Sequence, residues 1–156
     1  MKAAFEGGVS FVNKRYANIE EEGGEILYLD FTNLYGFSQC QKLPTSEYRW
    51  LTKQEILNLD LALIDEDGDF GYGLEVDLEY PEELHELHND LPMAPENICI
   101  FYEDLSPYSK ACLQATCPTN PLRYKSQKLC GTFQTKEKYF THIKNLKYYL
   151  KSGLKI

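Results

Sequence analysis

Asp30 ends a compact apolar run, Glu25-Ile26-Leu27-Tyr28-Leu29, and the segment Asn33-Leu34-Tyr35-Gly36 follows closely. A carboxylate at the end of a buried strand can be aimed at a cleft. A turn that enters a helix presents backbone N–H groups to an anion. Together they make a minimal site for a metal-bound triphosphate. A plainer reading stands beside it, in which Asp30 caps the turn that follows.

Other residue groups carry less chemistry. His85 and His88 lie three apart among Glu82, Glu83 and Glu86, a face that can hold a metal. No third ligand is identifiable, so the face reads as a polar helix surface. The acidic turn from Asp65 to Gly71 invites a calcium reading. Counted from Asp65, the sixth and twelfth positions of such a loop are Phe70 and Val76. Calcium loops need Gly and Glu there, so a solvated turn is the better reading. Cys40, Cys99, Cys112, Cys117 and Cys130 are an odd number with one moderately close pair. That count argues against a closed disulfide framework and fits a reducing compartment inside the cell. A zinc site would need a second close pair, which is missing.

The elements that must position these groups follow from periodicity. Residues 25–30 read as a buried strand between a Gly-Gly pair and a turn, and one or two helical turns run to Ser38. Thr52-Lys53-Gln54-Glu55 predicts a capping box that opens a helix through about Leu63. Gly71 to Tyr80 alternates with period two and predicts a half-exposed strand. Pro81 to His88 predicts a short helix with Pro at its first position. Ile98–Tyr102 and Lys138–Ile143 read as strands, and residues 104–135 read as a long excursion. Asn145 is expected to cap a last helix, Leu146 to Lys151, closed by Gly153. The fold class is α+β.

The 156 residues suffice for one domain with a core. No apolar stretch reaches membrane-spanning length, and the start lacks a signal peptide's apolar core. No membrane partner is expected. The net charge of −8 hides a split, with −17 in residues 1–104 and +9 in residues 105–156. Such asymmetry suggests a partner or a missing neighbour. The chain as a whole repels phosphates, whereas its basic end alone would attract them.

One resemblance gathers these fragments. Glu6-Gly7-Gly8-Val9-Ser10 and Lys14-Arg15-Tyr16-Ala17 stand upstream of Leu27-Tyr28-Leu29-Asp30-Phe31-Thr32-Asn33-Leu34-Tyr35-Gly36. This order resembles the protein-primed family B DNA polymerases, above all those of Polinton (Maverick) transposons and related DNA viruses. Leu43-Pro44-Thr45, Tyr48-Arg49-Trp50, Gly71 to Pro81, His85, His88-Asn89-Asp90 and Ala94-Pro95-Glu96 continue it. Lys138-Tyr139, His142, Asn145-Leu146-Lys147, Tyr149-Leu150 and Gly153-Leu154-Lys155 close it. Nearly the whole chain is covered.

The resemblance implies a partial polymerase palm, mostly antiparallel sheet with flanking helices, over residues 1–156, with an irregular insertion at about 60–135. It implies a DNA-directed DNA polymerase that adds deoxynucleotides to a protein or DNA primer by a two-metal mechanism. Asp30 would be one of two carboxylates that hold paired Mg²⁺, with the Phe31 carbonyl as a further ligand. The N–H groups near Asn33, Leu34, Tyr35 and Gly36 would bind the nucleotide's phosphates. The Tyr35 ring would exclude a ribose 2′-OH. Gly7 and Gly8 would let the backbone approach the template, with Lys14, Arg15 and Tyr16 along its path. Implied partners are template and primer DNA, deoxynucleotides and a terminal priming protein.

The departures also have meaning. The family's second motif, Lys-x-x-x-Asn-Ser-x-Tyr-Gly, and its third, Asp-Thr-Asp, do not occur in the 156 residues. The proofreading exonuclease segment is also missing. Thr32 replaces an Asn common in the group, and the acidic stretch from Ile19 to Glu25 replaces an Asn-rich one. The expectation is therefore a fragment that is inactive alone. The alternative is a non-catalytic, transposon-derived module that binds a protein partner through complementary acidic and basic surfaces.

Overall fold

The computed structural model describes residues 12, 16–42, 44–117 and 120–156. Among them the chain is mixed α and β, with small antiparallel sheets and short helices. It divides into two compact units. One comprises residues 80–135 and the other residues 12–79 with 136–156. No helix among the described residues is long and apolar enough to cross a membrane.

The second of these units is built on one long-range strand pair. Strand β1 (Gly73–Leu78) runs antiparallel to β4 (Lys136–His142), with Gly73 opposite His142 and Val76 opposite Tyr139. The alternation of β1 turns its even-numbered residues inward and ends on buried Leu78. Gly73 is required by its diagonal neighbour, because a Cβ there would lie 2.6 Å from Phe140 Cζ. The register slips between Val76 and Leu78, so β4 carries one extra residue. Lys138 sits in that bulge at φ 51°, and its N–H donates to Asp77 Oδ1 at 2.7 Å. The carboxylate thus satisfies an amide that the ladder leaves over.

Helix α5 (Ile143–Lys151) follows β4 directly and places Ile143 and Leu146 in the core with Leu78 and Leu154. It ends in paired turns. The Gly153 N–H donates to the Leu150 carbonyl, and the Leu154 N–H donates to the Tyr149 carbonyl. Gly153 supplies the φ of 101° that this closure needs. The returning chain then pairs Lys155 with Glu79 through two backbone hydrogen bonds of 2.8 and 3.1 Å.

The same unit holds α1 (Ile19–Glu22), α2 (Leu34–Gln39) and α3 (Lys53–Leu57). The expected capping box at Thr52 and Glu55 opens α3, but the helix stops at Leu57 rather than near Leu63. Asn58 and Asp60 end it, because their short polar side chains favour local turns. Asp60 Oδ1 accepts the Ala62 N–H at 2.9 Å.

The expected strand at 25–30 is absent. These residues run without a ladder partner and are exposed, with Tyr28 at 95% and Leu29 at 83%. An apolar strand needs a neighbour on its edge and a core against its face. The described residues supply neither.

The unit of residues 80–135 has its own sheet. Strand β2 (Glu96–Phe101) pairs antiparallel with β3 (Lys125–Cys130), from Glu96 opposite Cys130 to Phe101 opposite Lys125. Helix α4 (Pro107–Thr116) lies between them, capped by Ser106 with Pro107 at its first turn. The excursion expected over 104–135 is therefore largely ordered. The expected helix after Pro81 is a 3₁₀ turn at Glu82–Leu84 followed by turns to Asp90. Its core is an aromatic cluster. The Tyr80 ring meets His85, His88 and Phe133 edge-on, and His85 stacks on Phe133 with centroids 4.5 Å apart. Tyr80 Oη pairs with His88 Nδ1 at 2.7 Å and accepts the Met93 N–H at 3.3 Å. Burial pushes the Tyr80 phenol up. His88 is thus buried and His85 half-buried, both packed against aromatic rings.

Tyr80→Phe leaves the buried His88 ring and the Met93 amide without a shared partner. A loss of about 1–3 kcal/mol in urea denaturation is expected. His142 caps α5 by accepting the Lys144 N–H at Nδ1, 3.2 Å away. Burial, then the Lys144 charge, lowers its pKa from the ordinary value. Protonation turns the acceptor into a donor facing a helix N-terminus, so the cap's stabilisation is present above about pH 6.5 and lost as pH falls through the folded value. The protection factor of the Lys144 amide against exchange should fall on acidification, and His142→Asn, which keeps an acceptor, should remove that dependence.

Candidate metal and nucleotide site

The segment 25–31 has no regular secondary structure and leads into a turn at Thr32 and Asn33, then α2. Asn33 takes the left-handed conformation, φ 57° and ψ 45°, as the residue that caps α2. Asn tolerates this region better than most side chains. Its Oδ1 accepts the Gly36 N–H at 3.2 Å, and its carbonyl accepts the Phe37 N–H at 3.0 Å. Gly36 has a local reason to be glycine, since a Cβ would stand 2.4 Å from Asn33 Nδ2. The Gly36 amide is therefore committed to the cap. The Leu34 and Tyr35 amides have no acceptor among the described residues. They are orphan donors of a first helical turn.

Asp30, Phe31, Asn33, Leu34, Tyr35 and Gly36 thus form one continuous exposed stretch, with Gly36 partly covered and the Tyr35 ring 86% exposed. Tyr16 is also exposed. Gly7, Gly8, Lys14 and Arg15 lie outside the described residues.

No group of three His, Cys, Asp or Glu side chains that could hold a metal exists among the described residues. A two-metal centre needs at least two carboxylates that share the ions. Asp30 supplies one, so the residues described do not fit a complete Mg²⁺ pair.

One arrangement near this stretch in sequence was half legible. Thr52 and Glu55 announced the capping box, but Arg49 gave no signal of its own. Its guanidinium grips Glu55 with two bonds, Nη1 to Oε2 at 3.0 Å and Nη2 to Oε1 at 2.8 Å. The Thr52 N–H and hydroxyl also donate to Oε2, at 2.8 and 2.9 Å. First the Arg49 hydrogen bonds, then those from Thr52, hold the Glu55 carboxyl down at about 2. Arg49 therefore serves α3 rather than offering a charge to a phosphate.

A folded value below the unfolded one means that this contribution is present above about pH 4.3 and fades toward pH 2. A carboxyl-carbon titration should find Glu55 among the last carboxylates to protonate. In Arg49→Ala its midpoint should move up toward the ordinary range.

No protein-family model, characterised protein or solved structure matches this chain.

Proposed function

We propose that this chain is a palm segment of a protein-primed family B DNA polymerase, built around the first metal-binding carboxylate. The observation that carries the reading is the ordered resemblance running from Gly7-Gly8 through Leu27–Gly36 to Gly153-Leu154-Lys155. Supporting it is an apolar segment that ends at Asp30, turns at Asn33 and enters a helix with two orphan amides. In this reading Asp30 is the metal-binding carboxylate and the Leu34 and Tyr35 amides face the nucleotide's phosphates. The second carboxylate is contributed from outside these 156 residues, and the chain alone does not catalyse. Template and primer DNA, deoxynucleotides and a priming protein are its partners.

The exposed face fits this reading. Ile26, Leu27, Tyr28, Leu29, Phe31, Tyr35 and Phe37 lie in one stretch with most of their surface in water. Contiguous apolar surface of this kind marks a face that another element covers. The same face favours the second reading, a non-catalytic module that presents it to a protein partner.

Calorimetry of the whole chain with Mg²⁺ and a deoxynucleotide, with and without primed DNA, tests the first reading. Weak Mg²⁺-dependent binding that disappears in Asp30→Ala is expected. Equal binding by the variant removes Asp30 from the site. No binding by the folded chain shifts the weight to the module. Sequencing the transcript beyond codon 156 separates the two independently. Reading through both missing motifs supports the polymerase, and a stop codon supports the module.

A further inference from the structure

Residues 58–72 form a groove of about 380 Å³ within the unit that holds β1 and β4. This is near the lower end of the range for specific ligand sites. Leu59, Leu63 and Phe70 give it apolar walls, and Asp60, Asp65 and Asp69 are among the residues that line it. Leu63 is 82% exposed and Phe70 75%, so the walls stand open to water.

Lysines brace the backbone of the segment that forms the groove. Lys147 Nζ donates to the carbonyls of Ala62 and Ile64, and Lys42 Nζ to the carbonyl of Asp67. Lys144 Nζ pairs with Asp67 Oδ1 at 3.2 Å. These cations are spent on carbonyls and on Asp67, which does not line the groove. Asp60 Oδ1 and Asp65 Oδ1 accept the N–H groups of Ala62 and Asp67 at 2.9 and 3.0 Å. Those bonds set the local turns and leave the second oxygen of each free of any partner among the described residues. The groove's lining holds three carboxylates and no cation.

We infer that this groove docks a basic segment of a partner protein, one that alternates arginine or lysine with aliphatic side chains. Charge complementarity chooses the occupant. An anionic or neutral apolar segment would bury three uncompensated carboxylates, whereas a guanidinium meets each with paired hydrogen bonds. The apolar walls choose a segment with aliphatic side chains over a bare polycation, because covering Leu63 and Phe70 removes their surface from water. The net −17 of residues 1–104 would speed the encounter without conferring its selectivity. This inference does not rest on the polymerase reading, and each can fail alone.

Fluorescence anisotropy of a short labelled peptide of alternating arginine and leucine, added to the full chain at physiological salt, tests it. Three comparisons are expected to lose roughly tenfold in affinity or more. One is the double variant Asp60→Asn with Asp69→Asn, which keeps the Asp60 turn acceptor. Another is Phe70→Ala, a change at an exposed position that leaves the core intact. The third is a peptide with serine in place of leucine. A glutamate–leucine peptide should not bind. Equal affinity for the serine peptide would overturn the proposal in favour of attraction to the acidic surface at large. Unchanged affinity in either variant, or no binding by the parent chain, would also overturn it. An unaltered amide spectrum of each variant excludes unfolding as the cause.

Discussion

Pairing of β1 with β4 joins residues 73–78 to residues 136–142, and the core of that unit depends on it. Closing so long a loop is entropically unfavourable, although the cost grows only slowly with length. It is offset where the two strands and α5 bury Leu78, Ile143, Leu146 and Leu154 together. The Glu79–Lys155 bridge extends the same edge by one residue pair. Without this ladder α5 is a nine-residue helix with three lysines, too short to persist alone. Residues 80–135 are bracketed in sequence by the two strands and carry their own sheet and aromatic core.

The contrast between that core and the stretch from Ile26 to Phe37 is the main functional clue. Both are rich in apolar residues of strand-forming type. One is buried because its partner strand lies in the described chain. The other has no strand partner there and is exposed to water. In the proposed polymerase reading, this bare apolar stretch beside a carboxylate and two orphan amides would be completed by parts contributed from elsewhere. The acidic groove at residues 58–72 differs in kind. Its backbone is set by its own Asx turns and by lysines, so its shape does not await a partner.

Local signals in the sequence were reliable where the interaction itself is local. Alternation over Gly71–Tyr80 located β1, and the Thr52–Glu55 spacing located the α3 cap. Gly153 marked the end of α5, because a left-handed closing residue favours glycine in any context. Asn33 and Gly36 were noted as a turn entering a helix, and the cap confirms that geometry. The first helical residue of α5 was misplaced because His142, an uncommon cap, does the work expected of Asn145.

Longer-range features were settled only by the tertiary structure. The strand at 25–30 failed because apolar composition states a preference for burial without supplying the surface that buries it. His85 and His88 looked like a polar helix face until Phe133, more than forty residues away, packed against His85, and Tyr80 against both. Lys-Ser-Gln-Lys in β3 has no strand pattern of its own and becomes a strand only when β2 offers a ladder. Arg49 carried no local signal, and only the folded chain shows its paired bonds to Glu55. The sequence by itself determined the caps, the turns and one alternating strand, since neighbours a few residues apart complete them. Partner choice for each strand and each charge belonged to the tertiary structure, because hydrogen-bond and apolar complementarity are properties of pairs.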